Sequence, residues 1–472
     1  MRRAVRRRGA ALFLALVLPA PAAGAESERG FRGFLVVRGE RVLAAENAGR
    51  LFTPGSVQKL LVCAAALHFL GPEHRVTTTV HGSGAPRGGE LAGDLVIAAA
   101  GDPTWNARFF AADPRSPLRD LARQLRERGV RRVAGDLVID VGRFPGRGAP
   151  PSRPPSELAY AYGAPASALA VDESSVAVEI APGRRPGDGG RLEPLGEAAR
   201  IEWDNRIRTV TRDRHDRGTV DFLPVPERLA VLVRGEYPVS EPPYRVEVSV
   251  PQPDLFAAEV LREVLAREGV EVAGRTRIAA AVPRGETLAT LRSPPLAELL
   301  APILTDSHNW YAEMLLRQLA LAVGGQARDD EGLDLVKGFL TAEVGVAEDA
   351  FVLDDASGLS PYDLLSPEAV VELLRHVWRQ PWRDQFVAAL AAPGRGTLRG
   401  WGRLPPLAAK TGTVRHSLAL AGYLEPHGPL GGDRGGKLGQ EPVVFACFLN
   451  HRGEERAELR AEMTAWLNRW AR

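Results

Sequence analysis

The chain has 472 residues, 45% hydrophobic and 25% charged, a balance that fits a soluble globular protein and excludes disorder, collagen and coiled coil. At roughly 150 residues per domain this length points to about three domains. The formal charge of +2 comes from the first 25 residues, where Arg2, Arg3, Arg6, Arg7 and Arg8 stand without an acid. The 55 basic and 58 acidic residues beyond them leave −3, so no concentrated basic face is available for nucleic acid.

MRRAVRRRG runs into the apolar stretch Ala10–Leu18 and then into Ala23-Gly24-Ala25, the order of a secretory signal peptide cut after Ala25. The stretch is too short to cross about 30 Å of hydrocarbon, and no later segment approaches the apolar length a helical span needs. The mature chain is therefore read as secreted across the inner membrane, periplasmic or extracytoplasmic, with no stable membrane span. Residues 33–49 alternate like a β-hairpin around Gly39-Glu40, and SVQKLLVCAAALHFLG reads as an apolar helix closed by Gly71.

From about residue 76 the texture changes. GDLVIA (93–98) and GDLVID (135–140) are near-copies 42 residues apart with an amphipathic segment, LRDLARQLRERG, between them, which predicts a βαβ unit. Residues 82–89 read as a hairpin turn rather than a phosphate loop, 144–155 and 182–190 as loops, and 200–250 as β-rich. PDLFAAEVLREVLAREG (253–269) reads as a helix. From about 286 helices dominate until two strands, HSLALAGYL and PVVFACFLN, precede a C-terminal helix. On that helix Leu459, Met463, Trp466, Leu467 and Trp470 form one stripe, expected to pack on a sheet. His74 and His81 are expected at the surface, and Cys63 and Cys447, both in apolar runs, as buried free thiols.

Of the 60 basic residues only four are lysine: Lys59, Lys337, Lys410 and Lys437. Unlike arginine, lysine can lose its proton when desolvated, so a lysine kept in such a chain invites a chemical reading. Two of the four fall in short motifs. Ser56 and Lys59 at i and i+3 of the first helix bring an amine to a hydroxyl. Ser307-His308-Asn309 heads a later helix, and Lys410-Thr411-Gly412-Thr413 opens a β-rich run. Each alone has a bland reading, a capping serine or a solvated lysine; the ordered set does not.

S-x-x-K, S-x-N and K-T-G in this order resemble the penicillin-recognising serine enzymes. Ser56 and Ser307 are 251 residues apart, and a large insertion between these motifs is similar to the D-alanyl-D-alanine carboxypeptidase/endopeptidase family, the class C low-molecular-mass penicillin-binding proteins. GDLVIAAAGDPT (93–104), YGAPASAL (162–169), DASGLS (355–360) and GTL (396–398) are also similar to family segments. The resemblance implies a multidomain α/β and α+β chain. Its transpeptidase-like (β-lactamase-like) catalytic domain would comprise 26–75 plus 286–472, and 76–285 would be inserted, with a β-rich subdomain near 180–250. It also implies an acyl-enzyme on Ser56, with Lys59 as base and Ser307, held by Lys410, passing a proton to the leaving amine. Asn309 would bind the substrate amide. The N–H groups of Ser56 and Thr413 would form the oxyanion hole, and Lys410 with Thr411, Gly412 and Thr413 would hold the terminal carboxylate. Implied partners are peptidoglycan stem peptides and β-lactam antibiotics, and a homodimer is compatible with the reading. No metal or other cofactor is expected, since no H-E-x-x-H, P-loop or dinucleotide fingerprint is present.

The sequence departs from the family pattern at His308 and Ala356, at Arg395 before GTL, and ahead of YGAP. There the family shows a Trp-rich stretch with an acidic residue facing diaminopimelate, and PPSRPPSE offers only Glu157. Rival readings are a β-lactamase or esterase on the same scaffold, marked by rapid turnover of penicillin, and a non-catalytic peptidoglycan-binding module, which would need a damaged motif.

Overall fold

The computed structural model describes residues 30–211, 219–225, 227–424 and 441–470; the expected signal peptide and Lys437 lie outside them. The N-terminal hairpin forms as its alternation requires, Phe31–Arg38 pairing antiparallel with Arg41–Glu46 across a turn in which Gly39 takes φ +57°. Its other partner is remote in sequence: Phe31–Arg38 also pairs along its whole length with Val443–Asn450. One antiparallel sheet thus joins the two ends of the described chain, in the order Leu407–Val414, Ser417–Leu424, Val443–Asn450, Phe31–Arg38, Arg41–Glu46. The strand carrying Lys410 is at its edge.

Both faces of this sheet are covered, so its central strands read as unbroken apolar runs. The two-residue period sorts their side chains. Leu35, Val37, Val444, Ala446 and Phe448 face a core built around the helix Lys59–Leu70, whereas Val36, Phe445, Cys447 and Leu449 face the C-terminal helix Arg456–Trp470. That helix lays Leu459, Met463, Trp466 and Leu467 on the sheet, each worth about 1.5–3 kcal/mol of apolar burial. The expected stripe is therefore a packing face. Cys63 and Cys447 are buried and unpaired, in different clusters, and burial pushes both thiols above their ordinary range. The helix Lys59–Leu70 is apolar on all sides because it runs through the core, and Gly71, at φ +76°, ends it.

Residues between 77 and 292 build other sheets. Leu95–Ala98 and Leu137–Asp140, the near-copies, lie parallel and in register, Leu95 opposite Leu137, with the helix Ser116–Glu127 as their crossover. Thr276–Ala279 extends this pair on one side, and Thr77–Gly82 followed by Glu286–Arg292 extends it on the other. The last strand corrects the boundary drawn at 285: Glu286–Arg292 pairs with Thr77–Gly82 and not with the sheet that carries Lys410. Two three-stranded sheets fill the β-rich stretch from Ser175 to Ser249. Within 82–89 a two-residue turn at Gly88-Gly89 lets Arg87 and Glu90 exchange backbone hydrogen bonds of 2.9 and 3.0 Å. His81 is not at the surface as expected. It points inward from its strand, Nε2 lying 2.9 Å from Thr79 Oγ1, because the sheet is covered on that face. His74 is half-buried.

Candidate active site

Two close backbone approaches bring the first motif onto the third. Gly55 takes φ +51°, and a Cβ there would stand 2.8 Å from the Thr413 amide nitrogen; a Cβ on Gly412 would stand 2.1 Å from the Pro54 carbonyl. Only glycine allows both contacts. The turn Gly55–Gln58 then leads into the helix Lys59–Leu70, so Ser56 opens on the cleft while Lys59, the only charged residue of that helix, enters the core.

The three motifs meet in one place, as the resemblance implies. Lys59 Nζ is 2.8 Å from Ser56 Oγ, 2.7 Å from Asn309 Oδ1 and 2.6 Å from the Ser357 carbonyl. Lys410 Nζ is 2.8 Å from Ser307 Oγ and 2.8 Å from the Thr411 carbonyl. Ser307 does not cap its helix. It sits two residues before Asn309–Gly324 in the left-handed region, φ +65°, where it reaches Lys410. Thr411 Oγ1 donates to Thr397 Oγ1 of the GTL segment at 2.7 Å. Ser56, Ser307, Thr411 and Thr413 line one open cleft together with Thr397, Trp401 and Arg460.

Both lysines are fully buried. Burial pushes the Lys59 amine down from 10.5 to about 8, opposed by Asp355 and Glu313, which hold it up. At pH 7 about one Lys59 in ten is then neutral, against a few in ten thousand for a free lysine. Lys410 is pushed well below its ordinary value, first by burial and then by the charge of Lys59.

Behind Lys59 lies a polar cluster that single motifs do not reveal. Arg153 Nη2 donates to Glu313 Oε1 (2.7 Å), Asp355 Oδ2 (2.8 Å) and Ser357 Oγ (3.1 Å), all of them buried. Burial and the neighbouring Asp355 carboxylate push the Asp363 carboxyl up to about 10, so it holds a proton at neutral pH. Gln58 Nε2 ties Asp363 Oδ1 to the Asp355 carbonyl. Glu313 follows Asn309 by one helical turn, so one face of one helix serves both the amine and its counter-charge.

His308, at the departure in the second motif, has a partner in the inserted segment: its Nε2 is 2.8 Å from Glu173 Oε2. Glu173 Oε1 also accepts from Arg108 Nε (2.8 Å) and Tyr311 Oη (3.0 Å), on a backbone at φ +59°. Although burial opposes it, the His308 and Arg108 contacts hold this carboxyl down at about 2. Against an unfolded value of 4.5, that contributes about 3 kcal/mol. A depressed carboxyl stabilises above the unfolded value, and the gain fades as pH falls from 4.5 towards 2. Glu173→Gln is thus expected to lower the unfolding free energy at neutral pH by up to that amount. Thermal unfolding should show the gap to wild type narrowing through that acid window; a gap independent of pH would refute the charge pairing.

Arg395 donates to the carbonyls of Ala388 and Leu390 at the end of the helix Arg383–Ala389, a structural role. Ala356 is buried, its N–H directed at Glu313 Oε2 at 3.4 Å. Glu157 lies five residues before Tyr162, whose carbonyl accepts from Asn309 Nδ2 at 3.0 Å. Its carboxyl is half-buried, raised by desolvation, and makes no hydrogen bond or salt bridge among the described residues. Among those residues no cluster of His, Cys, Asp and Glu could hold a metal, and no helix is long and apolar enough to cross a membrane.

The fold is that of penicillin binding protein 4 (dacB) from Haemophilus influenzae, with a TM-score of 0.83 over 94% of this chain and 97% of that one at 22% identity. In sequence the chain is 32% identical over 410 residues to a D-alanyl-D-alanine carboxypeptidase of Actinomadura sp. (strain R39), covering 82% of this chain and 74% of that one. It is 24% identical over 428 residues to D-alanyl-D-alanine carboxypeptidase DacB of H. influenzae, covering 89% and 85%. The sequence pattern of one family matches residues 26–470, and with it the chain belongs to the D-Ala-D-Ala carboxypeptidase 3 (S13) family.

Proposed function

We propose that the chain is a serine D-alanyl-D-alanine carboxypeptidase that also cleaves peptidoglycan cross-links, works outside the cytoplasm and is acylated by penicillin. The observation that carries this is the contact of Ser56 Oγ with a fully buried Lys59 amine at 2.8 Å. In its neutral form the amine accepts along that line, and Ser56 donates. Ser56 Oγ then bonds to the carbonyl carbon of the penultimate D-Ala as its proton moves to Lys59. The amide C–N bond breaks as the leaving amine takes a proton from Ser307 Oγ, which Lys410 holds, and the proton gained by Lys59 replaces it, so both lysines return to their starting states. Water cleaves the resulting ester, and the acid and free Ser56 return. Amides at Ser56 and Thr413 would hold the oxyanion. The intact set of motif contacts weighs against a purely binding module.

A digest of purified peptidoglycan, resolved by mass, tests the reading: loss of terminal D-Ala marks the carboxypeptidase, and monomers from cross-linked dimers mark the endopeptidase. Muropeptides left unchanged would refute it, and fast release of hydrolysed penicillin would favour a β-lactamase.

Glu157 is the candidate for the substrate side chain. Diaminopimelate presents an ammonium, and a half-buried carboxylate facing it would contribute on the order of 0.2 to 1 kcal/mol, more if desolvated. Glu157→Gln is expected to lower kcat/KM on a diaminopimelate peptide several-fold and to spare penicillin acylation. Equal losses on both ligands, or none on either, would remove Glu157 from the subsite.

A further inference from the structure

The leaving residue in either reaction carries a carboxylate beside the scissile amide, and a cleft that selects it gains from a cation that stays charged. The two motif lysines are poorly suited. Lys410 Nζ is spent on Ser307 Oγ and the Thr411 carbonyl and is shut from solvent, and Lys59 is committed to Ser56, Asn309 and Ser357. A third cation lines the same cleft. Arg460, from the C-terminal helix, lines it together with Thr411 and Thr413. Its guanidinium carbon stands 5.5 Å from the centroid of the Trp401 ring, a cation–π contact that orients it. Arg460 has neither a salt bridge nor a hydrogen-bonded partner among the described residues, and its Nε is buried without one.

We propose that Arg460, held on Trp401, is a carboxylate-binding residue of the cleft, anchoring the α-carboxylate of the leaving residue beside the hydroxyls of Thr411 and Thr413. This rests on the function proposed above. The guanidinium supplies the charge and the threonines the neutral hydrogen bonds, so the substrate's free acid is preferred to its amide. Because the residue lies on the helix packed behind the sheet, the C-terminal helix is then part of the binding site as well as a cover for the core.

The test uses a diacylated Lys-D-Ala-D-Ala peptide as free acid and as C-terminal carboxamide. Arg460→Gln is expected to reduce the acid-over-amide ratio of kcat/KM about 10- to 100-fold, chiefly through KM on the acid, the range of a hydrogen bond to a charged group. Arg460→Lys should keep much of the preference. An unchanged ratio, or equal losses on both peptides, would overturn the proposal. On the wild-type chain the preference is expected to persist as pH rises from about 7 to about 9.5, since a guanidinium keeps its proton there; its disappearance would assign the charge to Lys59 or Lys410 instead. A wild type that neither cleaves the acid nor is labelled by penicillin refutes the parent reading rather than this one.

Discussion

Ser56→Ala is expected to abolish covalent labelling by a fluorescent penicillin and to bring peptide cleavage to background, because among the described residues Ser56 Oγ is the one hydroxyl hydrogen-bonded to the Lys59 amine. Lys59→Arg should be nearly as damaging although it keeps the charge. A guanidinium stays protonated, so the proton of Ser56 has no acceptor, and general-base assistance of this kind is worth about 10²- to 10⁴-fold. It would also bring a bulkier planar group into a fully buried site. The wild-type rate of acylation should rise with pH and level off above about 8, following the neutral form of Lys59. Stopped-flow acylation measures all three. Labelling of Ser56→Ala at the wild-type level, or acylation of Lys59→Arg within a few-fold of wild type, would each point to different machinery.

The contacts of the proposed nucleophile and its neighbours were legible because the residues of each motif are local in sequence. Ser56 and Lys59 are one helical turn apart, Ser307 and Asn309 two residues apart, and lysine is rare enough for Lys410 to stand out. The βαβ unit was legible for a similar reason: strands of nearly the same sequence bury alike and came to lie side by side. What sequence hid is long-range. Nothing in FRGFLVVR announces that it pairs with VVFACFLN over 400 residues later, since either strand alone fits many partners. Glu286–Arg292 was misassigned because its short alternating run carries no mark of which sheet it completes. His81 was misplaced because a half-covered strand and an exposed one share the same alternation. Arg153 sat in a Pro-rich stretch that reads as a loop, and its role comes only from where that loop is laid, against Glu313 and Asp355. The pairing of His308 with Glu173 likewise turns an apparent departure from the motif into a contact that only the fold can supply.

The second large effect is expected at Arg153. Its side chain is 2% exposed and its Nη2 donates to Glu313, Asp355 and Ser357. Arg153→Met keeps the length of the chain and removes the charge, leaving two carboxylates buried around one lysine. Stranding a buried charge by deleting its partner costs about 3–5 kcal/mol. Asp363 cannot absorb the excess by losing charge, because it already holds its proton; Glu313, which burial pushes upward even in the intact site, is the group that would take one up. The loss of stability should therefore be largest at neutral pH and shrink as pH falls and the carboxylates protonate. The same deletion acts on catalysis with a definite sign. Arg153 lowers the Lys59 amine while Asp355 and Glu313 raise it, so without Arg153 the amine rises above about 8, less of it is neutral at pH 7, and the acid limb of the acylation profile moves to higher pH. Adding Glu313→Gln should recover part of both losses, since it removes one of the stranded charges, and the shortfall from additivity measures their coupling. Urea unfolding and penicillin acylation across pH check the pair of effects. A stability change below about 0.5 kcal/mol with an unmoved acid limb would show that the cluster neither holds the fold nor tunes Lys59.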